Sequence, residues 1–194
     1  MSDPDAILNP PLAERAFAPR GRAENARLRR MVDQHWQVVG RLLRHLGVPQ
    51  SDVDDGIQHV FLVAAEKLES IRTDAERAFL LRTAVNIAAR VRREKARSGS
   101  REVMTGLAED AADTQKGADE LLDESAALRT LDRILSRMDE DVREVFVLYE
   151  VEELTMAKIS ELLEVPPGTV ASRLRRGREV FRAELARDGE RTAR

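Results

Sequence analysis

The stretch Leu154–Leu185, LTMAKISELLEVPPGTVASRLRRGREVFRAEL, decides the fold. Thr155 can cap a short helix from Met156 to Leu163, whose Ile159, Leu162 and Leu163 share one face. Val165, Pro166 and Pro167 then interrupt it, since proline lacks the amide a continuing helix needs. A longer helix follows from about Gly168 to Ala186. Val170, Leu174, Phe181 and Leu185 form its apolar face, and Gly177 on that face allows close approach. Thr169, Ser172, Arg173 and Arg176 stand opposite, at i, i+3, i+4 and i+7. A short helix, a tight turn and a longer basic helix make a helix-turn-helix. Hydroxyls and N-terminal amides suit phosphate, and an arginine fork suits the major-groove edge of guanine. Arg175, Arg178 and Arg182 flank the stripe, where they can neutralise backbone phosphates.

Two further helices lead into this motif. Leu128, Leu131, Ile134, Leu135 and Met138 form the stripe of the first. Asp139 is the expected N-cap of the second, which carries Val142, Val145, Phe146 and Tyr149. Residues 124–187 are therefore expected to be a four-helix domain.

The N-terminal half has its own periodicity. Leu28, Val32, Trp36, Val39, Leu43 and Leu46 recur at three- and four-residue steps until Gly47 and Pro49 end the helix, with Trp36 assigned to the core. Ser51 with Asp54 resembles an N-cap followed by an acid three residues on, and opens a stripe of Val53, Ile57, Val60, Phe61, Ala64 and Leu68. A third helix, from about Ala75 to Arg97, sets Leu80, Ala84, Ile87, Ala88 and Val91 on one face. Arg82, Asn86, Arg90, Arg93 and Arg97 lie roughly opposite. Charges of one sign in a row repel each other unless a polyanion lies against them, so the stripe points to phosphate contact.

Between the halves the composition reverses. Glu102–Glu124 holds eight acids against one lysine, with Gly106 and Gly117, as in a flexible acidic linker. The expected organisation is a mobile arm over 1–24, a helical domain over 25–98, a linker over 99–123, the helix-turn-helix domain over 124–187 and a tail over 188–194. The fold class is all-α, two small helical domains joined by that linker.

Composition excludes several classes. The chain has 194 residues, no cysteine, 35% charged and 4% aromatic residues, and a net charge of −3. Disulfides, cysteine zinc sites and thiol nucleophiles are thereby excluded. His35, His45 and His59 lack metal-ligand spacing, so neither a metal nor a cofactor is expected. No apolar run reaches the length of a membrane span, which points to a cytoplasmic protein without membrane insertion. Paired carboxylates in a pocket, a phosphate-cradling glycine loop and triad logic are all missing, and with them the signs of an enzyme.

The residues also resemble a family, the extracytoplasmic-function sigma factors of bacterial RNA polymerase. Leu154–Leu185 is similar to their C-terminal promoter-reading region, and Leu135–Glu153, LSRMDEDVREVFVLYEVEE, to the helices before it. Asp52–Leu68, DVDDGIQHVFLVAAEKL, resembles the family's polymerase-clamp-binding helix. Phe79–Arg97, FLLRTAVNIAARVRREKAR, resembles its promoter-melting and −10-reading helix. The order and spacing of these segments is more specific than any one of them.

The resemblance implies a transcription initiation factor that binds core RNA polymerase through the β′ clamp and β flap and directs it to promoter DNA. Asp55, Gln58 and Leu62 would meet the clamp, with Phe61 in the core. Asn86, with Arg82, Arg90, Arg93 and Arg97, would serve the −10 element, and the loop Glu69–Ala75 stands where a flipped base is captured. Thr169, Ser172, Arg173, Arg175, Arg176 and Arg178 would serve the −35 element. An anti-sigma partner is common in the family, and the free protein is expected to be a monomer. Departures are Ala171 where Lys or Arg is common, Ala65 and Phe79 where tryptophan is frequent, and Gly56 inside a helix. Two other readings fit the helix-turn-helix alone: an autonomous regulator that binds an operator without polymerase, and a helical adaptor that docks acidic partners. The clamp-like helix with Asp55 and Gln58 is what the autonomous regulator would not need.

Overall fold

The computed structural model describes residues 21–102 and 120–192, with side chains over 21–97 and 127–188. Residues 1–20 of the expected arm, most of the linker and the last two residues of the tail lie outside the described residues. Among the described residues, seven α-helices run in chain order: α1 Arg22–His45, α2 Gln50–Glu66, α3 Glu76–Glu102, α4 Glu120–Leu135, α5 Glu140–Phe146, α6 Met156–Leu163 and α7 Pro167–Thr192. There is no strand among the described residues. Two single 3-10 turns, Leu68–Ser70 and Thr73–Ala75, join α2 to α3.

Helix starts and stops follow local chemistry. α1 begins three residues before the expected Asn25, because the Gly21 amide donates to Glu24 Oε2 at 3.0 Å and closes the first turn. It ends at Gly47, whose φ of +84° reverses the chain so that the Val48 amide reaches the Leu43 carbonyl at 3.0 Å. Ser51 does not cap α2. Pro49 takes that position, and the Ser51 hydroxyl donates to Asp52 instead. Asp139 and Thr155 are the N-caps of α5 and α6 as expected, and Thr155 Oγ1 accepts from the Lys158 amide. Pro167 is the first residue of α7 rather than part of the interruption, since its missing amide is unneeded there.

α1, α2 and α3 pack on one another through Val39, Leu42, Leu43, Val60, Leu80 and Ala84. Both buried glycines of this group are places of close approach. A Cβ on Gly56 would stand 3.0 Å from Leu43 Cδ1, and one on Gly40 3.1 Å from Ile57 Cδ1. Gly56 therefore loses helix propensity to let α2 settle against α1. α5, α6 and α7 pack through Val145, Phe146, Ile159, Val170 and Leu174, and Gly177 lets α7 lie directly on Phe146.

Three apolar residues expected in the core are more exposed. Trp36 stacks on Phe61 with centroids 6.0 Å apart, yet keeps 40% of its surface in solvent. Leu128, midway along α4, and Leu185, two turns before the end of α7, are exposed.

Candidate nucleic-acid interface

α7 presents the second helix of the helix-turn-helix. Its apolar face is fixed by Val170, Leu174 and Gly177, all buried, with Phe181 stacked on Phe146 at 5.4 Å. The opposite face exposes Ser172, Arg175 and Arg176, with Thr169 and Arg173 half-buried at one edge and Arg178 exposed at the other, beside the apolar residues. The Ser172 hydroxyl turns back on the Thr169 carbonyl at 3.0 Å. The spacing read from the sequence therefore yields one continuous polar face.

Every one of its arginines lies near a carboxylate. Arg173 reaches Asp141 at 2.9 Å, Arg176 reaches Asp139 at 3.0 Å and Arg178 reaches Glu150 at 2.7 Å. Arg175 stands 4.0 Å from Glu179. Arg178 also lies over the Tyr149 ring, and its hydrogen bond to Glu150 raises its pKa above the ordinary value. Exposed pairs of this kind are weak, so a phosphate can replace the carboxylate at little cost.

The second basic face is on α3. Arg82, Asn86, Arg90, Arg93 and Arg97 are all exposed, as the period predicts. Their N-terminal part borders a cleft of about 300 Å³ between α2 and α3, lined by His59, Val63, Lys67, Phe79, Arg82, Thr83, Asn86, Ile87 and Arg90. Phe79, packed against the core on one side, supplies this cleft with an aromatic wall. His59 Nδ1 lies 3.4 Å from an Arg90 nitrogen, and partial burial together with that cation lowers its pKa.

The segment Glu69–Ala75 before α3 is pinned by a residue the sequence did not single out. Arg27 of α1 donates to Glu76 at 2.6 Å, to the Leu68 carbonyl at 3.1 Å and to the Ile71 carbonyl at 2.5 Å. Each contact lies more than forty positions away in the chain. On α2, Asp55 and Gln58 are exposed, Leu62 is half-buried beside them and Phe61 is buried. The three candidate contact residues thus share one outer face.

Charged residues buried between the two groups of helices were also missed. Arg92 is held by the Leu46 carbonyl at 2.6 Å, Glu144 at 2.9 Å and Glu140 at 3.1 Å. Arg143 is buried against Gly47, at which a Cβ would stand 2.7 Å from the guanidinium. Burial and the neighbouring Arg92 lower the Arg143 pKa. Glu152 is buried and pairs with Arg77 at 2.9 Å, and burial pushes its carboxyl pKa up, as it does for Glu144. His45, also buried, meets Asp132 at 2.8 Å. One signal was available for Arg92: it falls off the stripe formed by its basic neighbours.

No group of three or more metal-ligating side chains occurs among the described residues, and no described helix is long and apolar enough to cross a membrane.

The family pattern "Sigma-70, region 4" matches residues 128–180, which span α5 and α6 together with parts of α4 and α7. The "ECF RNA polymerase sigma-E factor" of Haemophilus influenzae is 31% identical over 159 residues, covering 77% of this chain and 82% of the relative. "RNA polymerase sigma factor CnrH" of Cupriavidus metallidurans is 27% identical over 194 residues, covering 94% of this chain and all of the relative. Among solved structures, the sigma factor RpoE from Bartonella quintana, in complex with the anti-sigma factor NepR, superposes with a TM-score of 0.65. That match covers 81% of this chain and 96% of the other at 18% identity, and bears on the fold alone.

Proposed function

This chain belongs to the extracytoplasmic-function sigma factors of RNA polymerase, and from that premise we propose how its residues divide the work of promoter recognition. Members of this family bind core polymerase and direct it to specific promoters as non-enzymatic initiation factors. In this chain the outer face of α2, with Asp55, Gln58 and Leu62, docks on the β′ clamp, and residues 124–187 meet the β flap. The functional units are those expected from the sequence, 25–98 for polymerase and the −10 element and 124–187 for the −35 element, while the ends of α1, α3, α4 and α7 run beyond those limits into the arm 1–24, the linker 99–123 and the tail 188–194.

The face of α7 enters the major groove at the −35 element. Arg173, oriented by Asp141, reads a base edge, while Arg175, Arg176 and Arg178 hold phosphates beside Thr169 and Ser172. The face of α3 holds the −10 strand with Arg82, Arg90, Arg93 and Arg97. Asn86 and Phe79 line the cleft beside it, where an extruded base gains stacking and a hydrogen bond that offset part of the unstacking cost. No covalent step, metal or cofactor enters this account. The protein works inside the cell, where its template is, and an anti-sigma factor is a partner class suggested by the Bartonella quintana complex.

The observation that carries the proposal is the pair of separate basic faces, on α3 and α7, in one chain with the clamp-like face of α2. Run-off transcription with purified core polymerase and a library of genomic fragments tests it. Addition of the chain should produce discrete start sites. The Asn86→Ala variant should bind the same fragments yet open them poorly, as read by permanganate reactivity of thymines. Tight, sequence-specific DNA binding by the chain alone, with no polymerase-dependent start sites, would favour the autonomous regulator.

A further inference from the structure

The cleft between α2 and α3 is bordered at one end by the chain that joins the two helices. Lys67, which lines the cleft, follows the last residue of α2, and Phe79, its aromatic wall, closes the first turn of α3. Residues 68–75 connect these two points. Leu68 and Ile71 are buried in the core, and their side chains hold the segment down. Its backbone is set by another group. Arg27, reaching across from α1, uses all three guanidinium nitrogens there: Nε donates to Glu76 at 2.6 Å, Nη1 to the Leu68 carbonyl at 3.1 Å and Nη2 to the Ile71 carbonyl at 2.5 Å. The fork is planar and rigid, so it fixes the three acceptors relative to one another.

The acceptors flank the cleft. Leu68 is the residue after Lys67, and Glu76 stands one helical turn before Phe79. One guanidinium therefore fixes the chain beside both walls. A pin needed only to hold the segment on the core would duplicate what Leu68 and Ile71 already do. Without it, two carbonyls and a carboxylate converge with no shared donor, and they must move apart or admit water. Either change shifts Phe79 relative to Lys67. Contact energy is sensitive to such a shift, since a gap of about 0.5–1 Å forfeits a quarter to a half of a van der Waals well.

We infer that Arg27 is a positioning residue for promoter opening, which sets the spacing of Lys67 and Phe79 across the cleft from outside the cleft itself. This rests on the reading of that cleft as the place of the extruded base. Arg27 is not among the residues lining the cleft, and it belongs to neither basic face nor to the outer face of α2. Its loss therefore acts on the opened state, while polymerase and closed duplex are bound as before.

Arg27→Ala and Arg27→Lys test this, the lysine because an ammonium keeps the charge beside Glu76 but cannot span all three acceptors. Circular dichroism and unfolding midpoints set a temperature at which both variants are folded. In the holoenzyme, opening read by permanganate reactivity of thymines should fall about tenfold in both, the order of a partly lost base stack. Affinity for core polymerase should be unchanged. On a template whose −10 region is already mismatched the defect should shrink to about twofold, because no unstacking is then required. The chain has five phenylalanines, so para-fluorophenylalanine gives one fluorine resonance per ring, with Phe79 assigned through Phe79→Leu. In the free chain both Arg27 variants should shift the Phe79 resonance and leave that of Phe146 in place. An unmoved Phe79 resonance would overturn the inference, as would unchanged opening, or losses that are equal in opening, in polymerase binding and on the mismatched template. The fluorine readout involves neither polymerase nor DNA. A shifted Phe79 in the variants, with no polymerase-dependent opening by the unmodified chain, would therefore retain the control of the cleft by Arg27 and remove the sigma-factor reading of its purpose.

Discussion

Arg173 and Arg178 stand five residues apart on α7, yet their surroundings assign them different work. Arg173 keeps a quarter of its side-chain surface and is aimed by Asp141, whereas Arg178 lies in the open over Tyr149. Arg173→Ala should lower discrimination between promoter and non-promoter duplex by about 1–3 kcal/mol, and Arg173→Lys should not rescue it, because an ammonium cannot reproduce the fork. Arg178→Ala should weaken both duplexes alike and reduce the slope of log affinity against log salt by about 1. Fluorescence anisotropy of the holoenzyme across a salt series separates the two, and equal effects of both variants on both duplexes would contradict the assignment. Gly177 makes a second case at this scale. A Cβ there would stand 2.9 Å from Phe146 Cδ2 and 3.1 Å from its Cβ, so Gly177→Ala should cost about 1–3 kcal/mol in urea unfolding. Its position on the apolar face was legible in the sequence, because a glycine among Val170, Leu174 and Phe181 has no reason to be there except contact. Ser51 misled for the opposite reason: it has the residue type of a cap, but the preceding proline already sets the extended backbone that a cap requires.

Helices were read well wherever one face of the period is apolar and the other charged. α6 runs over the expected residues because Thr155 and the prolines bound it on both sides. What escaped was the widening of the chain after α5, where Val147–Val151 form a π-helical turn and the Glu152 amide reaches back five residues to the Val147 carbonyl. Its residues are as apolar as a regular turn, so no periodic signal marks the change. The loop before α3 was equally opaque, because Arg27 acts on it from more than forty residues away. Replacing Arg27 by Ala leaves the Leu68 and Ile71 carbonyls and Glu76 without their shared donor, and should cost about 2–3 kcal/mol of stability. Hydrogen exchange at the Ser70 and Ile71 amides should quicken beyond that of α2. Uniform quickening over all three helices of the N-terminal group would contradict a local role for Arg27.

For the whole molecule, the two basic faces and the acidic stretch between them were legible from charge alone, but the buried charges between the two groups of helices were not. Arg77, Arg92, Glu144 and Glu152 look like ordinary surface charges in a chain that is one-third charged. Their burial also makes the packing of the two groups sensitive to pH. Glu152 faces Arg77, Arg41 and His45, and Glu144 faces Arg92, Glu140 and Arg173. In both, burial outweighs the cations and raises the carboxyl pKa, so the folded chain binds these protons more tightly than the unfolded one. Their contribution to stability should therefore grow as pH falls toward the raised carboxyl range and fade as pH rises above it. Glu152→Gln should flatten this part of the pH dependence of the urea-unfolding midpoint, and a variant midpoint that varies with pH as steeply as that of the unmodified chain would contradict the assignment.

The central claim is that α2 carries the polymerase-docking face of an initiation factor, and the most direct measurement is binding of purified bacterial core RNA polymerase to this chain and to its Asp55→Arg/Gln58→Ala variant. Both side chains are exposed, so the variant should keep its helices and its unfolding midpoint. The account predicts saturable binding by the unmodified chain and its loss in the variant. Absence of binding by the unmodified chain, or equal binding by both, would contradict it.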